Sequence, residues 1–422
     1  MQKFFLSLCS FLFALCAAAQ VSPVPQKAEW GGVAIAGDVY FNIQGAKTAD
    51  QDAVRALEKL LEGRMAKVKG ARQVKVAIGE RGDASVSAWK KKIPTTAEGY
   101  YLAIDRNQIV VAGADEAGTF YGVQTLRQIM RETPDTLRKV EIADWPDVAE
   151  RGVVEGFYGN PWSHADRLRQ FEFYGENKMN TYIYGPKDDP YHRDYWRKPY
   201  PADQAQKISE LAEAARRNKV KFVWAVHPGV DIKWIREDSL NIVKKLESVY
   251  DMGIRSFAVF FDDIGGEGAR AEKQAGLLNY ITDEFVRKHT DVEPLIMCPT
   301  EYNKSWSGKT YLPTLGRMMY PEVRVMWTGA TVVDMINEAD VDWIISALGR
   351  KPYIWLNWPV NDYCVDHLLM GATYGNDLTI SDRLAGFVSN PMEYAEASKV
   401  SLYSIADYTW HLATYDSQTS WK

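Results

Sequence analysis

The stretch FAVFFDDI, residues 257–264, decides the fold prediction. Its first five residues are all apolar, as expected of a strand that is buried on both faces of a parallel sheet. Asp262 and Asp263 follow at the point where this strand ends. Barrel enzymes build their active sites at the carboxyl ends of such strands, so the same arrangement is expected elsewhere in the chain.

Seven further apolar segments flank this one, and amphipathic helices separate them. The eight predicted strands are residues 152–157, 181–184, 221–226, 256–261, 294–298, 323–327, 353–357 and 384–389. Strands that alternate with helices need right-handed crossovers and form a parallel sheet. Eight such units predict a closed (β/α)8 barrel of the TIM type, with Ser163 and Asp166 spaced as a capping pair before its first helix.

The segment before the barrel reads as a small α/β domain. Alternating Val74, Val76 and Ile78 predict a half-buried strand, and residues 105–107 lie between two apolar runs as the turn of a hairpin. Proline at position 146 breaks the pattern, because the residue before a proline is pushed away from helix. The predicted domains are residues 20–147 for the α/β domain, 148–400 for the catalytic barrel, and 401–422 for the start of a C-terminal helical region that is expected to be truncated.

Residues 1–19 have the pattern of a secretory signal peptide, with Lys3, a short apolar run and three alanines at residues 17–19. We therefore expect export to the periplasm or the extracellular space. The apolar run is shorter than the ~20 residues that a spanning helix needs, so no membrane insertion is expected. Removal of this segment leaves Cys298 and Cys364, which are expected to be buried free thiols rather than a bridge.

Composition excludes several functional classes. A formal net charge of −5, without a run of five like charges, provides no basic surface for nucleic acid. The six histidines include no pair four residues apart, and no GxSxG, P-loop or GxGxxG motif occurs. Metal, serine-hydrolase and nucleotide chemistry therefore lose their main support, and no cofactor is predicted. The sequence leaves the oligomeric state open.

The adjacent carboxylates favour glycoside hydrolysis. In a partly dry site two like charges cannot both ionise cheaply, so the pKa of either Asp262 or Asp263 is expected to rise, which sets an acid beside a base. A helix N-cap or a metal-binding pair is the alternative interpretation. Fourteen tryptophans and twenty-three tyrosines agree with a carbohydrate substrate, because rings stack on the C–H faces of sugars. The rings at predicted strand ends are the candidates for ligand contact, namely Tyr158, Tyr302, Trp327 and Trp355, whereas His227 before Pro228 is interpreted as a turn residue.

Seven motifs together resemble glycoside hydrolase family 84, the O-GlcNAcases and bacterial β-N-acetylglucosaminidases. In chain order they are GVVEGFYG from residue 152, NTYIYGPKDDPYH from 180, FVWAVHPG from 222, FAVFFDDI from 257, CPTEYNKSW from 298, MWTG from 326 and WLNWPVNDY from 355. The resemblance covers nearly the whole chain after residue 20 and is closest to exported Bacteroides-type enzymes. It implies a retaining, exo-acting enzyme that removes terminal β-linked N-acetylglucosamine, including O-GlcNAc-type glycosides.

The resemblance also implies a substrate-assisted mechanism, in which the acetamide oxygen of the sugar attacks the anomeric carbon and forms an oxazoline. Asp262 would then orient and polarise the acetamide N–H, Asp263 would act first as acid and then as base, and Tyr302 would bind the acetamide oxygen. The other implied substrate contacts are Cys298, Thr328 and Trp355 around the acetyl methyl group, Gly156, Lys187, Asn357, Asp362 and Asn390 at the sugar hydroxyls, and Tyr158 and Val332 in the walls.

Several alternatives stay open at this point. Lys187 fits equally well as a solvated loop cation, and Asn390 as a turn residue before Pro391. Leu356 replaces a tryptophan of some relatives, but strand alternation points this residue away from the site. A family 20 hexosaminidase shares the N-terminal domain and acetamide participation but pairs Asp with Glu at this strand end. A sugar-binding protein that has lost catalysis is the third hypothesis.

Overall fold

The computed structural model describes residues 21–132 and 136–422, and the predicted signal peptide lies outside this part of the chain. The described chain forms a six-stranded sheet followed by a closed barrel of eight strands. This confirms the predicted fold class. Within the described ranges, none of the helices is both long and apolar enough to cross a membrane.

The N-terminal sheet has the strand order β1-β6-β4-β5-β3-β2. Its elements are β1 (Lys27–Ala36), β2 (Val39–Gln44), α1 (Gln51–Leu60), β3 (Arg72–Glu80), β4 (Tyr100–Asp105), β5 (Gln108–Gly113), α2 (Glu116–Glu132) and β6 (Thr136–Asp144). The predicted alternation in β3 holds, since Val74, Val76 and Ile78 are all buried. The hairpin around residues 105–107 is also present, because β4 pairs antiparallel with β5.

The barrel consists of parallel strands only. They are β7 (Arg151–Glu155), β8 (Thr181–Tyr184), β9 (Lys221–Val226), β10 (Ser256–Phe260), β11 (Ile296–Cys298), β12 (Arg324–Trp327), β13 (Pro352–Leu356) and β14 (Gly386–Ser389). β14 pairs with β7 and closes the barrel. The predicted strands are all present, because each is an apolar run that lies between the barrel interior and an outer layer of helices.

The outer layer departs from eight regular units. Its helices are α3 (His164–Glu176), α4 (Ala202–Arg217), α5 (Arg236–Tyr250), α6 (Ala271–Glu284), α7 (Tyr311–Met318), α8 (Glu338–Leu348) and α9 (Ala395–Trp410), and α10 (Ser417–Trp421) follows them. Ser163 and Asp166 form the predicted capping box at α3. The connection between β13 and β14 contains no α-helix and only a 3-10 turn at Ser381–Arg383, all within the described chain. Gly371 and Gly375 interrupt any helical stripe there, and the chain forms a long loop instead.

Helix α9 spans residue 400, where the barrel was expected to end. It packs against β14, β7 and α3 because one of its faces is apolar, so it is the last helix of the barrel layer. The predicted boundary therefore falls inside a barrel helix. At its end, Trp410 is fully buried in the core of the N-terminal domain and ties the two units together.

Candidate active site

The carboxyl ends of the barrel strands surround a cavity of about 360 Å³. This volume is at the small end of the range for small-molecule sites. The structure brings every site residue that the family resemblance implied to the lining of this cavity. The lining consists of Gly156, Tyr158, Lys187, Asp262, Asp263, Cys298, Tyr302, Thr328, Val332, Val333, Trp355, Asn357, Val360, Asp362, Tyr363 and Asn390. Sequence reasoning missed Val333, Val360 and Tyr363, although each lies in a loop that carries predicted residues.

Strand alternation decides which side chains reach the cavity. Trp355 belongs to the core inside the barrel, whereas Leu356 packs outside it, as predicted. A side chain at Gly156 would place its Cβ 2.5 Å from Trp355 Cζ2, so only glycine fits beside this ring. Trp327, a candidate for ligand contact, instead faces outward and stacks on Trp343 at 5.4 Å between ring centroids. Its neighbour Met326 takes the inward position, because successive side chains point to opposite faces.

Asp262 is buried two residues after the end of β10, and its Oδ2 accepts a hydrogen bond of 2.9 Å from Lys187 Nζ. Burial alone would raise the pKa of Asp262, but the charge of Lys187 holds it well below its usual value. Burial lowers the pKa of Lys187, yet Asp262 raises it above its ordinary value overall. The predicted rise in pKa therefore does not occur at Asp262, which is a carboxylate paired with an ammonium group.

The carboxylate of Asp262 keeps capacity to accept further hydrogen bonds. Among the described residues, Oδ1 has no hydrogen-bond partner. The Nε2 atom of His227 lies 3.5 Å from Asp262 Oδ1. Because each carboxylate oxygen accepts about two hydrogen bonds, Asp262 can still accept an N–H from a ligand.

Asp263 differs from Asp262 in its exposure and in its hydrogen-bond partners. It is exposed, and its two oxygens accept hydrogen bonds of 2.8 Å from the hydroxyls of Tyr302 and Tyr158. Its backbone φ of +56° lies in the left-handed region, which costs a residue with a side chain about 1–2 kcal/mol. Burial and then Asp263 raise the pKa of Tyr302 far above its usual value, so this tyrosine remains a hydroxyl donor.

Cys298, Thr328, Val332 and Trp355 form an apolar wall of the cavity. Burial raises the pKa of the Cys298 thiol well above its usual value, so this side chain is neutral. Thr328 Oγ1 donates to the carbonyl of Thr331 at 2.9 Å, so its hydroxyl is already engaged by the backbone. Cys298 and Cys364 are both free thiols, but only Cys298 is buried.

Amide and carboxylate groups also line the cavity. Asn357 Oδ1 accepts from Trp355 Nε1 at 2.9 Å and from Asn390 Nδ2 at 3.0 Å, which holds both asparagines in place. Asn390 Oδ1 is buried and has no hydrogen-bond partner among residues 21–132 and 136–422. Asp362 Oδ2 accepts the backbone N–H of Tyr158 at 3.0 Å. These groups can bind hydroxyls.

His227 is the residue whose contact with the site was missed. It follows β9 directly, is buried, and donates from Nε2 to the backbone carbonyl of Asp262 at 2.9 Å. It does not line the cavity, in agreement with a structural interpretation, but it supports the backbone between the two aspartates. Its position at a strand end, like that of the predicted site residues, was the signal that identifies it. No group of three or more metal-ligating side chains occurs in the described parts of the chain.

Comparisons with known proteins agree with this geometry. A family model described as beta-N-acetylglucosaminidase matches residues 151–422, which include the whole barrel. A second model, glycosyl hydrolase family 20, domain 2, matches residues 18–145. The chain is 36% identical over 272 residues to the protein O-GlcNAcase of Rattus norvegicus, a match that covers 62% of this chain and 30% of that protein. The chain thus spans about a third of the length of the curated relatives it matches.

Solved structures extend the similarity to both domains. The structure of CpGH84B is 37% identical, has a TM-score of 0.87, and is matched over 96% of this chain and 73% of that chain. For CpGH84D the identity is 30% and the TM-score 0.84, with 95% of this chain and 70% of that chain covered. A mutant of the Thermobaculum terrenum O-GlcNAc hydrolase is 34% identical, with a TM-score of 0.62 over 65% of this chain and 62% of that chain.

Proposed function

The chain belongs to the β-N-acetylglucosaminidases of glycoside hydrolase family 84, and on this premise we propose that it is a retaining, exo-acting β-N-acetylglucosaminidase. Its substrates are glycans and glycoconjugates that end in β-linked N-acetylglucosamine, including O-GlcNAc-type glycosides. The observation that carries the proposal is the contrast between the two successive carboxylates, one buried against Lys187 and the other exposed between two tyrosines.

Asp262 is the group that directs the nucleophile. Its low pKa keeps it ionised, and the lone pair that Lys187 leaves free on Oδ2 accepts the N–H of the acetamide. This hydrogen bond makes the acetamide oxygen more nucleophilic and orients it towards the anomeric carbon. The apolar wall around Cys298 and Trp355 encloses the acetyl methyl group. An oxazoline then forms without a nucleophile from the protein.

Asp263 is the general acid and then the general base. Its exposure at the rim gives it access to the glycosidic oxygen, which it protonates as the bond breaks. Tyr302 turns its hydroxyl from Asp263 to the acetamide oxygen, which frees one oxygen of Asp263 for the leaving group. After the leaving group departs, Asp263 takes a proton from the water that opens the oxazoline, and the configuration is retained.

The remaining polar residues select the sugar. Asn390 and the Asp362 carboxylate bind hydroxyl groups, and Lys187 donates to a hydroxyl oxygen while it holds Asp262. Asn357 acts through Asn390 and Trp355, which it positions. Tyr158 and Val332 form the walls next to the leaving group.

Release of chromophore from an aryl β-N-acetylglucosaminide tests the proposed activity. Asp263→Asn is expected to lose about 10²- to 10⁴-fold in rate on substrates with poor leaving groups and little on activated aryl glycosides, because only the former need a proton. The wild-type chain should keep its activity after exhaustive treatment with EDTA. Absence of chromophore release, or rescue by a divalent ion, contradicts the proposal.

The participation of the substrate is tested separately. Trifluorination of the acetyl methyl group is expected to slow the reaction, and a thiazoline derived from N-acetylglucosamine should bind far more tightly than the sugar. Proton NMR is expected to show the β-anomer as the first product. An α-anomer, or a rate that ignores fluorination, contradicts an oxazoline route.

Export of the protein is a further proposal, supported by Lys3, the apolar run after it and the alanines at residues 17–19. The mature chain is expected to begin at Gln20, in the periplasm or outside the cell. Sequencing of the N-terminus from cell fractions checks this. Cytoplasmic protein that retains Met1 contradicts it.

A further inference from the structure

The chain beyond β10 is held by side chains where the sheet ends. β9 and β10 pair in parallel up to Val226 and Val259, and the backbone carbonyls that follow have no further strand partner on that side. His227 is the first residue after β9, and its Nε2 donates to the Asp262 carbonyl at 2.9 Å. On the other side of β10, Thr300 Oγ1 donates to the Phe261 carbonyl at 2.9 Å. Two side chains thus continue the hydrogen bonds of the barrel.

The carbonyl that His227 holds belongs to the peptide that joins the two proposed catalytic residues. Its orientation is set by ψ of Asp262 and by φ of Asp263, and the latter is +56°. A residue with a side chain leaves this region readily unless its surroundings fix it. A change in φ at Asp263 would turn its Cα–Cβ bond and move its carboxyl group away from Tyr158 and Tyr302.

His227 is suited to this task because its donor is fixed. The hydrogen bond to a carbonyl requires the proton on Nε2, since a carbonyl only accepts. Nδ1 is buried without a hydrogen-bond partner in the described chain. Burial lowers the pKa of His227, so the neutral ring with Nε2–H is the stable form. The backbone N–H of His227 donates to the His192 carbonyl at 2.9 Å, which anchors the ring from behind.

We propose that His227 is a positioning residue of the hydrolase: through the Asp262 carbonyl it holds the Asp262–Asp263 peptide in the orientation that presents the Asp263 carboxyl group to the leaving-group oxygen. The inference rests on the proposed function. It assigns His227 no contact with the substrate. Its loss should therefore impair proton donation more than binding.

Two replacements of His227 distinguish the effect of losing its hydrogen-bond donor from the effect of changing the size of the side chain. His227→Gln carries an amide N–H at about the distance of imidazole Nε2, whereas His227→Leu carries no donor. On a substrate with a poor leaving group, His227→Leu is expected to lose about 10- to 100-fold in kcat, with KM nearly unchanged, because a displaced general acid costs rate and not affinity. On an activated aryl glycoside the loss should be several-fold smaller, and His227→Gln should recover most of it.

Thr300→Val is the matched control. It removes the equivalent donor from the Phe261 carbonyl but leaves the peptide between the two carboxylates held. Its ratio of rates on the two substrates should stay at the wild-type value even if its melting temperature falls. The proposal is overturned if His227→Leu slows both substrates equally, if His227→Gln is no better than His227→Leu, or if Thr300→Val changes the ratio as much.

Measurements on the wild-type chain distinguish a failure of the positioning role from a failure of the proposed activity. If wild type releases no chromophore, the proposed activity fails and the role of His227 as a positioning residue fails with it. If wild type is active and the ratio is insensitive to His227, only the positioning role fails. Melting temperatures of all variants separate a loss of folded protein from a loss of rate.

Discussion

Two of the buried lysine–aspartate pairs in the described part of the chain differ in setting, since one lies where the domains meet and the other in the cavity. Lys178 and Asp144 are 3.2 Å apart and wholly buried, and Lys187 and Asp262 are 2.9 Å apart and nearly so. The surroundings shift the pKa values of the two lysines in opposite directions. Burial lowers the pKa of Lys178, whereas at Lys187 the charge of Asp262 overcomes burial and raises it.

The two aspartates differ in how far their oxygens are satisfied. Asp144 Oδ2 accepts from Lys178 and from Tyr100 at 2.6 Å, and its Oδ1 accepts from Trp410 Nε1 at 2.9 Å and from the backbone of Gln26. Asp262 accepts from Lys187 and has an oxygen without a partner in the described chain. The same two residue types thus make a fully hydrogen-bonded network at the domain junction, the closed pair, and a less fully hydrogen-bonded carboxylate at the cavity, the open pair.

The largest effect is expected from breaking the closed pair. Asp144→Ala leaves the Lys178 ammonium buried without a counter-charge, which typically costs about 3–5 kcal/mol of unfolding free energy. Denaturant titration measures this, and kcat of the folded fraction should stay near wild type. The exposed Asp382→Ala serves as control and should change stability by less than about 0.5 kcal/mol. If Asp144→Ala lowers the unfolding free energy no more than the control does, the pair at the domain junction does not stabilise the fold in the way proposed.

Breaking the open pair should act on rate more than on stability. Asp262→Asn removes the charge that polarises the acetamide, and kcat/KM is expected to fall about 10²- to 10³-fold on activated and poor substrates alike. Lys187 lines an open cavity, whereas Lys178 is wholly buried, so the charge of Lys187 is less isolated from water. Steady-state kinetics and denaturant titration of the same sample decide the matter. If Asp262→Asn lowers the unfolding free energy as much as Asp144→Ala does, both pairs stabilise the fold and the contrast between them fails.

The lysine of the open pair should set the acid limb of the pH profile. Lys187 keeps the pKa of Asp262 well below its usual value although burial alone would raise it. Activity needs the ionised form, so it is lost as pH falls through this pKa. In Lys187→Met the pKa rises, and the acid limb of kcat/KM should move up by at least about one pH unit. Lys187→Arg keeps the charge and should keep the limb, and an unmoved limb in Lys187→Met argues against the pairing.

The sequence predicted the strand ends well, and for a physical reason. Buried strands of a barrel are short apolar runs, and their last residues are where polar groups first appear. The resemblance to family 84, and not the placement alone, then named individual cavity residues such as Lys187 and Asn390. The pairing of Lys178 with Asp144 could not be predicted, because it joins segments that touch only after both domains have folded.

Contacts within the site were also beyond the reach of the sequence. The hydrogen bonds of Tyr158 and Tyr302 to Asp263 depend on how three loops approach one another. The role of His227 depends on the tilt of one ring against one carbonyl. Periodicity gives the direction of a side chain from a strand, but a loop has no period that would give its course.

A pH dependence of stability is also expected to arise beside the open pair. Burial, and then His227, lower the pKa of His192 well below its usual value, and burial also lowers that of His227. In the unfolded chain both take up protons near pH 6.5, whereas the folded chain resists protonation until lower pH. The unfolded state therefore binds more protons below that pH, and the free energy of unfolding falls as pH decreases, by up to ~1.4 kcal/mol per pH unit for each histidine. Denaturant titrations at pH 7 and 5.5 measure the fall, and His192→Gln should remove about half of it. An unchanged fall in the double variant His192→Gln/His227→Gln would place the proton uptake elsewhere in the molecule.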